Sequence, residues 1–146
     1  MNWILKKFEE LTVDDLYAIL RLRNEVFVVE QQCVYMDTDN KDQQALHFMG
    51  WDNDELVAYT RIIPPGIFYP ESSIGRVVTA PSARGRGMGK ELMEQTLQQI
   101  SNRYGNTPVR IGAQLYLKDF YSSLGFQQTS EPYLEDGIEH IEMIRS

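Results

Sequence analysis

At 146 residues, with 14 lysines and arginines against 21 aspartates and glutamates, the chain carries a formal charge of −7. That balance argues against DNA, RNA or an anionic membrane as a default partner. The 42 % hydrophobic and 11 % aromatic content is enough to bury one core, so a single domain over residues 1–146 is expected and disordered or fibrous classes drop out. The one cysteine, Cys33, cannot form an internal disulfide, and two histidines cannot close a zinc site without borrowed carboxylates. No metal is expected, and a reducing, cytoplasmic setting is.

From the N-terminus, charge interrupts the apolar residues before a signal peptide could form, and no stretch approaches a membrane span. Trp3 to Leu11 alternates as a strand, and Thr12-Val13-Asp14-Asp15 resembles a capping box that opens a helix running to about Val29. Glu30 to Gln44, with Asp37, Asp39, Asn40 and Asp42, has no apolar period and reads as a loop with at most a short helical turn. Ala45–Trp51 and Glu55–Ile63, joined by Asp52-Asn53-Asp54, form a hairpin signal. Ser73–Thr79 is a third strand of this region. Then Ala80-Pro81-Ser82-Ala83-Arg84-Gly85-Arg86-Gly87-Met88-Gly89 leads into a helix whose apolar stripe is Met88, Leu92, Met93, Leu97 and Ile100. Val109–Gln114 is a short strand, Lys118–Leu124 a brief helix ended by Gly125, and Phe126–Ile144 holds two strands around Glu135-Asp136-Gly137.

The net charge conceals a division. Ser73 to Lys118 holds seven basic residues against two acids, a net +5, and the rest of the chain totals −12. Between Ser73 and Lys90 four basic residues (Arg76, Arg84, Arg86, Lys90) stand without an acid, which points to a local anion site. The three alternating glycines follow a strand and open a helix. Their backbone N–H groups can approach a phosphate with no Cβ in the way. Two phosphate motifs fail on spacing. A Walker loop would need glycine where Arg84 stands and Ser or Thr where Glu91 stands, and in G-x-G-x-x-G the third glycine would come one residue later than Gly89.

What remains is Arg84-x-x-Gly87-x-Gly89, which resembles the Q/R-x-x-G-x-G/A signature of the GNAT superfamily of N-acetyltransferases. Gly75-Arg76-Val77-Val78-Thr79 looks like the strand leading into that family's acetyl-CoA loop. Phe120-Tyr121-Ser122-Ser123-Leu124-Gly125-Phe126 is similar to its F-Y-x-x-x-G-F box. Val26 to Gln31, Tyr35-Met36-Asp37-x-Asp39, His47 and Tyr133 to Ile141 resemble the ElaA-type subgroup more narrowly, so the resemblance covers nearly the whole chain.

The resemblance implies an α/β fold, a mixed and mostly antiparallel sheet of about six or seven strands with helices on both faces. The cofactor would enter where the central strands splay. It implies that acetyl-CoA is the cosubstrate, its pyrophosphate held by the backbone of Arg84, Gly85, Arg86, Gly87, Met88, Gly89 and Lys90, with Phe120 nearby and the backbone of Val77 and Val78 pairing with the pantetheine amides. Helix dipole and basic side chains agree with that reading. Tyr121 falls on the position of the tyrosine that protonates the departing thiolate; a phenol of pKa ~10 is protonated at neutral pH and can donate.

The acceptor would be a primary amine attacking directly in a ternary complex, and a net acidic acceptor side favours a cationic one. An alkyl ammonium of pKa ~10.4 is only about one part in 2,500 free amine at pH 7, so a base or water chain must take a proton. By residue type the candidates are His47, Glu30, His140 and Glu142, and the sequence does not choose among them. Cys33 as an acetyl-carrying nucleophile is disfavoured, since no spacing ties it to a base. The competing reading is a non-catalytic acyl-CoA-binding or sensing module; the presence of Tyr121 favours an enzyme.

Overall fold

The computed structural model describes all residues, 1–146. Strand β1 (Asn2–Lys7) turns through Phe8–Glu10 into helix α1 (Val13–Arg23), followed by β2 (Leu46–Asp52), β3 (Glu55–Ile63), β4 (Ser72–Thr79), α2 (Met88–Tyr104), β5 (Val109–Gln114), α3 (Lys118–Ser123), β6 (Phe126–Gln128), β7 (Tyr133–Glu135) and β8 (Ile138–Arg145). One sheet takes all eight strands, in the order β1-β2-β3-β4-β5-β8-β6, with β7 also paired to β8. The β4–β5 pair is parallel and every other pair antiparallel.

The mixed, mostly antiparallel sheet expected from the sequence is present, with one strand more than the upper count. The addition lies in the last segment, where β6 is only three residues long and β7 another three. Such pieces are too short to show an alternation.

The helices lie on both faces, and residue alternation shows which. On β3, Thr60 meets Thr96 of α2 with hydroxyls 2.9 Å apart, whereas its neighbours Tyr59 and Arg61 face the Arg23 end of α1. Thr96 also donates to the Leu92 carbonyl at 2.7 Å, so this buried hydroxyl pair is satisfied on the helix as well as across to the sheet. The core fills both interfaces: Ile19, Leu22 and Val26 on the α1 side, and Leu92, Met93 and Ile100 on α2.

Local chemistry sets the element ends. Thr12 caps α1 by accepting from the Asp15 N–H while Asp15 accepts from the Thr12 N–H, the reciprocal pair the sequence predicted. Beyond Arg23 the helix widens, over Asn24–Glu30, into π-type turns that bond five residues back, as in Gln31 N–H to Val26 C=O. This accounts for the helical reading to about Val29. The next segment is irregular apart from a single turn at Asp42–Gln44. At Gly50 a β-carbon would sit 2.6 Å from the Trp3 ring, which stacks on Phe48, so glycine is what lets β1 and β2 pair there.

Candidate active site

The parallel pair is short. β4 and β5 are hydrogen-bonded only where Ser72–Ile74 meet Val109–Ile111, and then they separate. The cause is a bulge in β4. Gly75 lies opposite Arg61 but Val78 opposite Tyr59, so β4 spends an extra residue there, and Arg76 takes the left-handed conformation at φ 51°. A cavity of about 940 Å³ opens in the gap, walled by Gly75–Thr79 on one side and by Gly112 and Gln114 on the other. Past Ile74 the backbone of β4 has no strand partner on this side, which leaves Val77 and Val78 able to pair with an extended chain of amides.

The glycine turn follows Arg84, which lines the cleft, whereas Gly85 to Lys90 and Phe120 lie outside its lining. α2 starts at Met88 with Gly87 as its cap in the left-handed region (φ 71°), and no side chain caps the first N–H groups. Gly85 is also left-handed (φ 83°), and a β-carbon at either position would meet nothing within 4 Å. Glycine is needed there for the backbone conformation, not for space. Met88 is buried beneath the turn, and the first turn of α2 approaches α3 at Phe120, 3.7 Å from where a Gly89 β-carbon would be.

The four acid-free basic residues do not form one anion site. The guanidinium of Arg84 grips both oxygens of Glu30, at 2.7 Å each, and reaches the Thr79 carbonyl at 3.2 Å. Arg76 turns to the opposite end of the cleft, toward Asp37 and Asp39. Arg86 and Lys90 remain exposed at the turn without a carboxylate partner. A sequence stretch free of acids says nothing about acids that the fold brings from elsewhere.

Tyr121 lines the cavity and is 6 % exposed, packed edge-on to Phe120 and Phe126. Burial, with the Tyr116 phenol a lesser influence, pushes its hydroxyl up to about 12.

Opposite, the wall of the cleft is made by residues 30–39 and the β7–β8 hairpin; the Cys33 thiol meets the hairpin at the Asp136 carbonyl, 3.4 Å away, and the Gln31 amide exchanges contacts with Gln114 of β5 at 3.3 and 3.4 Å. The four candidate bases are distributed unequally around it. His47 is fully buried outside the cavity. Its Nε2 donates to the Asp42 carbonyl at 2.9 Å, so Nδ1 must accept from the Tyr59 hydroxyl at 2.6 Å. Burial lowers its pKa and keeps it neutral. Glu142 is also outside, within 3.4 Å of the Tyr133 hydroxyl and 3.9 Å of Arg110. Glu30 lines the cleft, but the Arg84 hydrogen bonds hold its carboxyl below the usual range and weaken it as a base. His140 lines the cleft with Nδ1 on the Ile138 carbonyl at 2.8 Å.

A domain model described as an acetyltransferase (GNAT) domain matches residues 9–146. The chain belongs to the GNAT acetyltransferase family. Within the family it is of the ElaA type. ElaA of Escherichia coli is 44 % identical over 99 % of this chain and 96 % of its own length, and a UPF0039 protein of Synechocystis is 42 % identical over 99 % and 94 %. Among solved structures, an acyl-CoA N-acyltransferase from Pseudomonas aeruginosa superposes with a TM-score of 0.94 at 42 % identity, and E. coli ElaA with 0.93 at 43 %, each over the whole of both chains.

One feature of this acetyltransferase escaped sequence reading altogether. Arg23, with no exposed surface, donates to Asp37 at 2.7 Å, to Asp42 at 2.8 Å and to the Asp37 carbonyl at 3.0 Å. Arg61 grips Asp39 through both terminal nitrogens at 2.8 and 2.9 Å and reaches Asp42 at 3.0 Å. Arg76 donates to the Asp37 carbonyl at 3.0 Å and lies over the Tyr35 ring, whose hydroxyl donates to Asp37 at 2.6 Å. Three arginines from three elements thus neutralise the three aspartates of one loop and fasten it to the sheet beside the cleft. The aspartates were visible as a loop signal. The arginines, spread over 53 positions of sequence, carried no pattern that joined them.

Proposed function

We propose that this acetyltransferase moves the acetyl group of acetyl-CoA directly onto a primary amine within a ternary complex, without a metal. The observation that carries the reading is the splayed β4–β5 pair, which combines in one cavity a free strand edge and Tyr121, with Arg84, from which the chain runs into the uncapped N-terminus of α2, on its wall. The edge at Val77 and Val78 suits the two amides of a pantetheine arm. The N–H groups from Arg84 to Lys90, with Arg86 and Lys90 beside them, suit a pyrophosphate. Because Arg84 is engaged by Glu30, backbone and dipole carry more of the phosphate binding than the count of basic residues suggested.

The reaction forms a C–N bond and breaks a C–S bond. The thiolate that departs needs a donor, and Tyr121 remains protonated at any physiological pH. Full transfer from a phenol at about 12 to a thiolate of pKa ~8.5 is uphill by roughly 5 kcal/mol. Tyr121 therefore serves as general acid chiefly through the hydrogen bond it gives the sulfur as charge develops.

The acceptor in this reading is cationic. The acids of the loop and Glu30 are spent on arginines, whereas Glu135 and Asp136 on the β7–β8 hairpin line the cleft with no Lys or Arg partner. Diamines should be acetylated faster than neutral monoamines of equal length, with the advantage falling as salt rises. The setting that suits one free cysteine and a thiol cosubstrate is the cytoplasm. No helix is long and apolar enough to cross a membrane.

Differential stabilisation tests the cosubstrate. CoA and acetyl-CoA at about 100 times Kd should add about 2.7 kcal/mol, raising Tm by some 5–10 °C, while ATP and NAD leave it unchanged. Stabilisation by ATP or NAD alone would overturn the assignment.

A further inference from the structure

We propose that His140 is the base that takes the proton of the attacking nitrogen, with Glu135 as the residue that positions and sustains it. The assignment rests on the acetyl-transfer reading above and names the proton's destination, which that reading leaves open.

His140 sits on β8 opposite Gln114 of β5 and Tyr133 of β7, on the wall of the cleft that faces the loop from Gln31 to Met36. It is 9 % exposed, so its ring is held in place. The contact at Nδ1 settles its tautomer. A carbonyl oxygen only accepts, so the 2.8 Å contact to Ile138 requires a proton on Nδ1 and leaves the lone pair on Nε2. Nε2 has no hydrogen-bond donor from the protein. Its nearest charged neighbour is the Glu135 carboxylate at 3.5 Å, which cannot donate when ionised but stabilises the imidazolium once Nε2 has been protonated. The Tyr133 ring stacks on the imidazole at 6.0 Å and 26°, which fixes its plane.

The groups beside His140 are Tyr133 and Glu135 of the hairpin and Gln114 of β5. None of these is cationic, and the arginines that line the same cleft, Arg61, Arg76 and Arg84, are each paired with a carboxylate. Of the four candidates it is the one that both lines the cleft and keeps a free basic nitrogen. His47 has both nitrogens engaged in the core, Glu142 is outside, and Glu30 is bound to Arg84.

The neutral amine nitrogen adds to the thioester carbon and becomes cationic, and His140 Nε2 takes one of its protons. The C–S bond then breaks with its electron pair on sulfur. Tyr121 stabilises the departing thiolate by the hydrogen bond it donates, solvent supplies the proton that makes the free thiol, and the imidazolium returns its proton to solvent. No oxidant, reductant or further reactant is needed.

Two measurements on the full chain test the assignment. In nitrogen-15 NMR spectra, neutral His140 should show protonated Nδ1 and unprotonated Nε2, and a ring carrying its proton on Nε2 would overturn the proposal even in the absence of turnover. In the turnover assay, Glu135→Gln should lower kcat with little change in KM, and an unchanged kcat would remove Glu135 from the role. In the acetyl-transfer assay, His140→Gln should lower kcat by roughly 10²-fold or more while the Tm shift given by CoA stays that of the parent. It should also remove the acidic limb of the kcat/KM profile. His140→Ala should regain activity with added imidazole, which a merely structural histidine would not permit. Retention of turnover within about threefold, with the limb intact, would overturn the proposal. Absence of amine-dependent turnover in the parent would instead count against the acetyl-transfer reading.

Discussion

At the scale of single residues, the cleft separates side chains that do chemistry from those that hold shape, and Tyr121 and His47 mark the contrast. Each is buried and each is displaced from its ordinary pKa by burial, Tyr121 upward and His47 downward. Tyr121 faces a cavity in which a reacting atom could sit; His47 is closed off between Tyr59 and Asp42. Tyr121→Phe should therefore lower kcat roughly 10²-fold with little change in acetyl-CoA affinity, as read from steady-state turnover beside a binding isotherm. Full turnover in that variant would remove Tyr121 as the donor to sulfur. Arg23 belongs to the shape-holding class. Arg23→Met would take from buried Asp37 and Asp42 the arginine they share, leaving Asp37 to Arg76 and Tyr35 and Asp42 to Arg61, and should cost about 3 kcal/mol in a urea denaturation, an effect larger than a surface pair would give.

Elements fix where those residues stand. The bulge at Arg76 is what parts β4 from β5, and two left-handed glycines are what let the chain enter α2 with its N–H groups uncovered. Gly87→Ala should cost about 1 kcal/mol through its positive φ and should also weaken CoA binding, whereas Gly50→Ala should destabilise by about 1–3 kcal/mol with CoA binding intact. Comparing melting temperatures with and without CoA separates the two.

These elements also show how much was legible beforehand. The capping box at Thr12, the hairpin around Asn53, the glycine turn and the α2 stripe carry their signals within a few neighbouring residues, and all were readable. The two motifs, one holding Gly87 and Gly89 and the other Tyr121, were each equally local. What stayed hidden was non-local: the pairing of Arg84 with Glu30, the burial of His47, the Arg23–Arg61–Arg76 network and the three-residue strands. Local pattern contains none of this, because partners in these pairs stand up to 54 positions apart.

For the whole molecule, the charge of −7 is distributed differently from what the sequence division suggested. The aspartates of the acidic loop are neutralised by arginines of α1, β3 and β4, and the uncompensated acids of the cleft are on the β7–β8 hairpin. That arrangement makes stability depend on pH in two steps. Burial alone would raise the Asp39 and Asp42 carboxyls, but the arginine hydrogen bonds and charges outweigh it and hold both below the usual range. Their contribution is thus present above pH ~3.9 and lost as pH falls through the lower folded values. Buried neutral His47 has a folded pKa below the unfolded ~6.5, so its contribution starts to be lost as pH drops under that point. Denaturation midpoints measured from pH 7 to 3 should fall gently at first and then steeply, and a flat profile would contradict the network's role.

The central claim is transfer, not binding alone, and release of free thiol from acetyl-CoA across a panel of mono- and diamines tests it most directly. The account predicts thiol release that depends on the amine, with stoichiometric acetylated product and a preference for cationic acceptors. Firm CoA binding with no thiol release from any amine would contradict it and make the protein an acyl-CoA sensor.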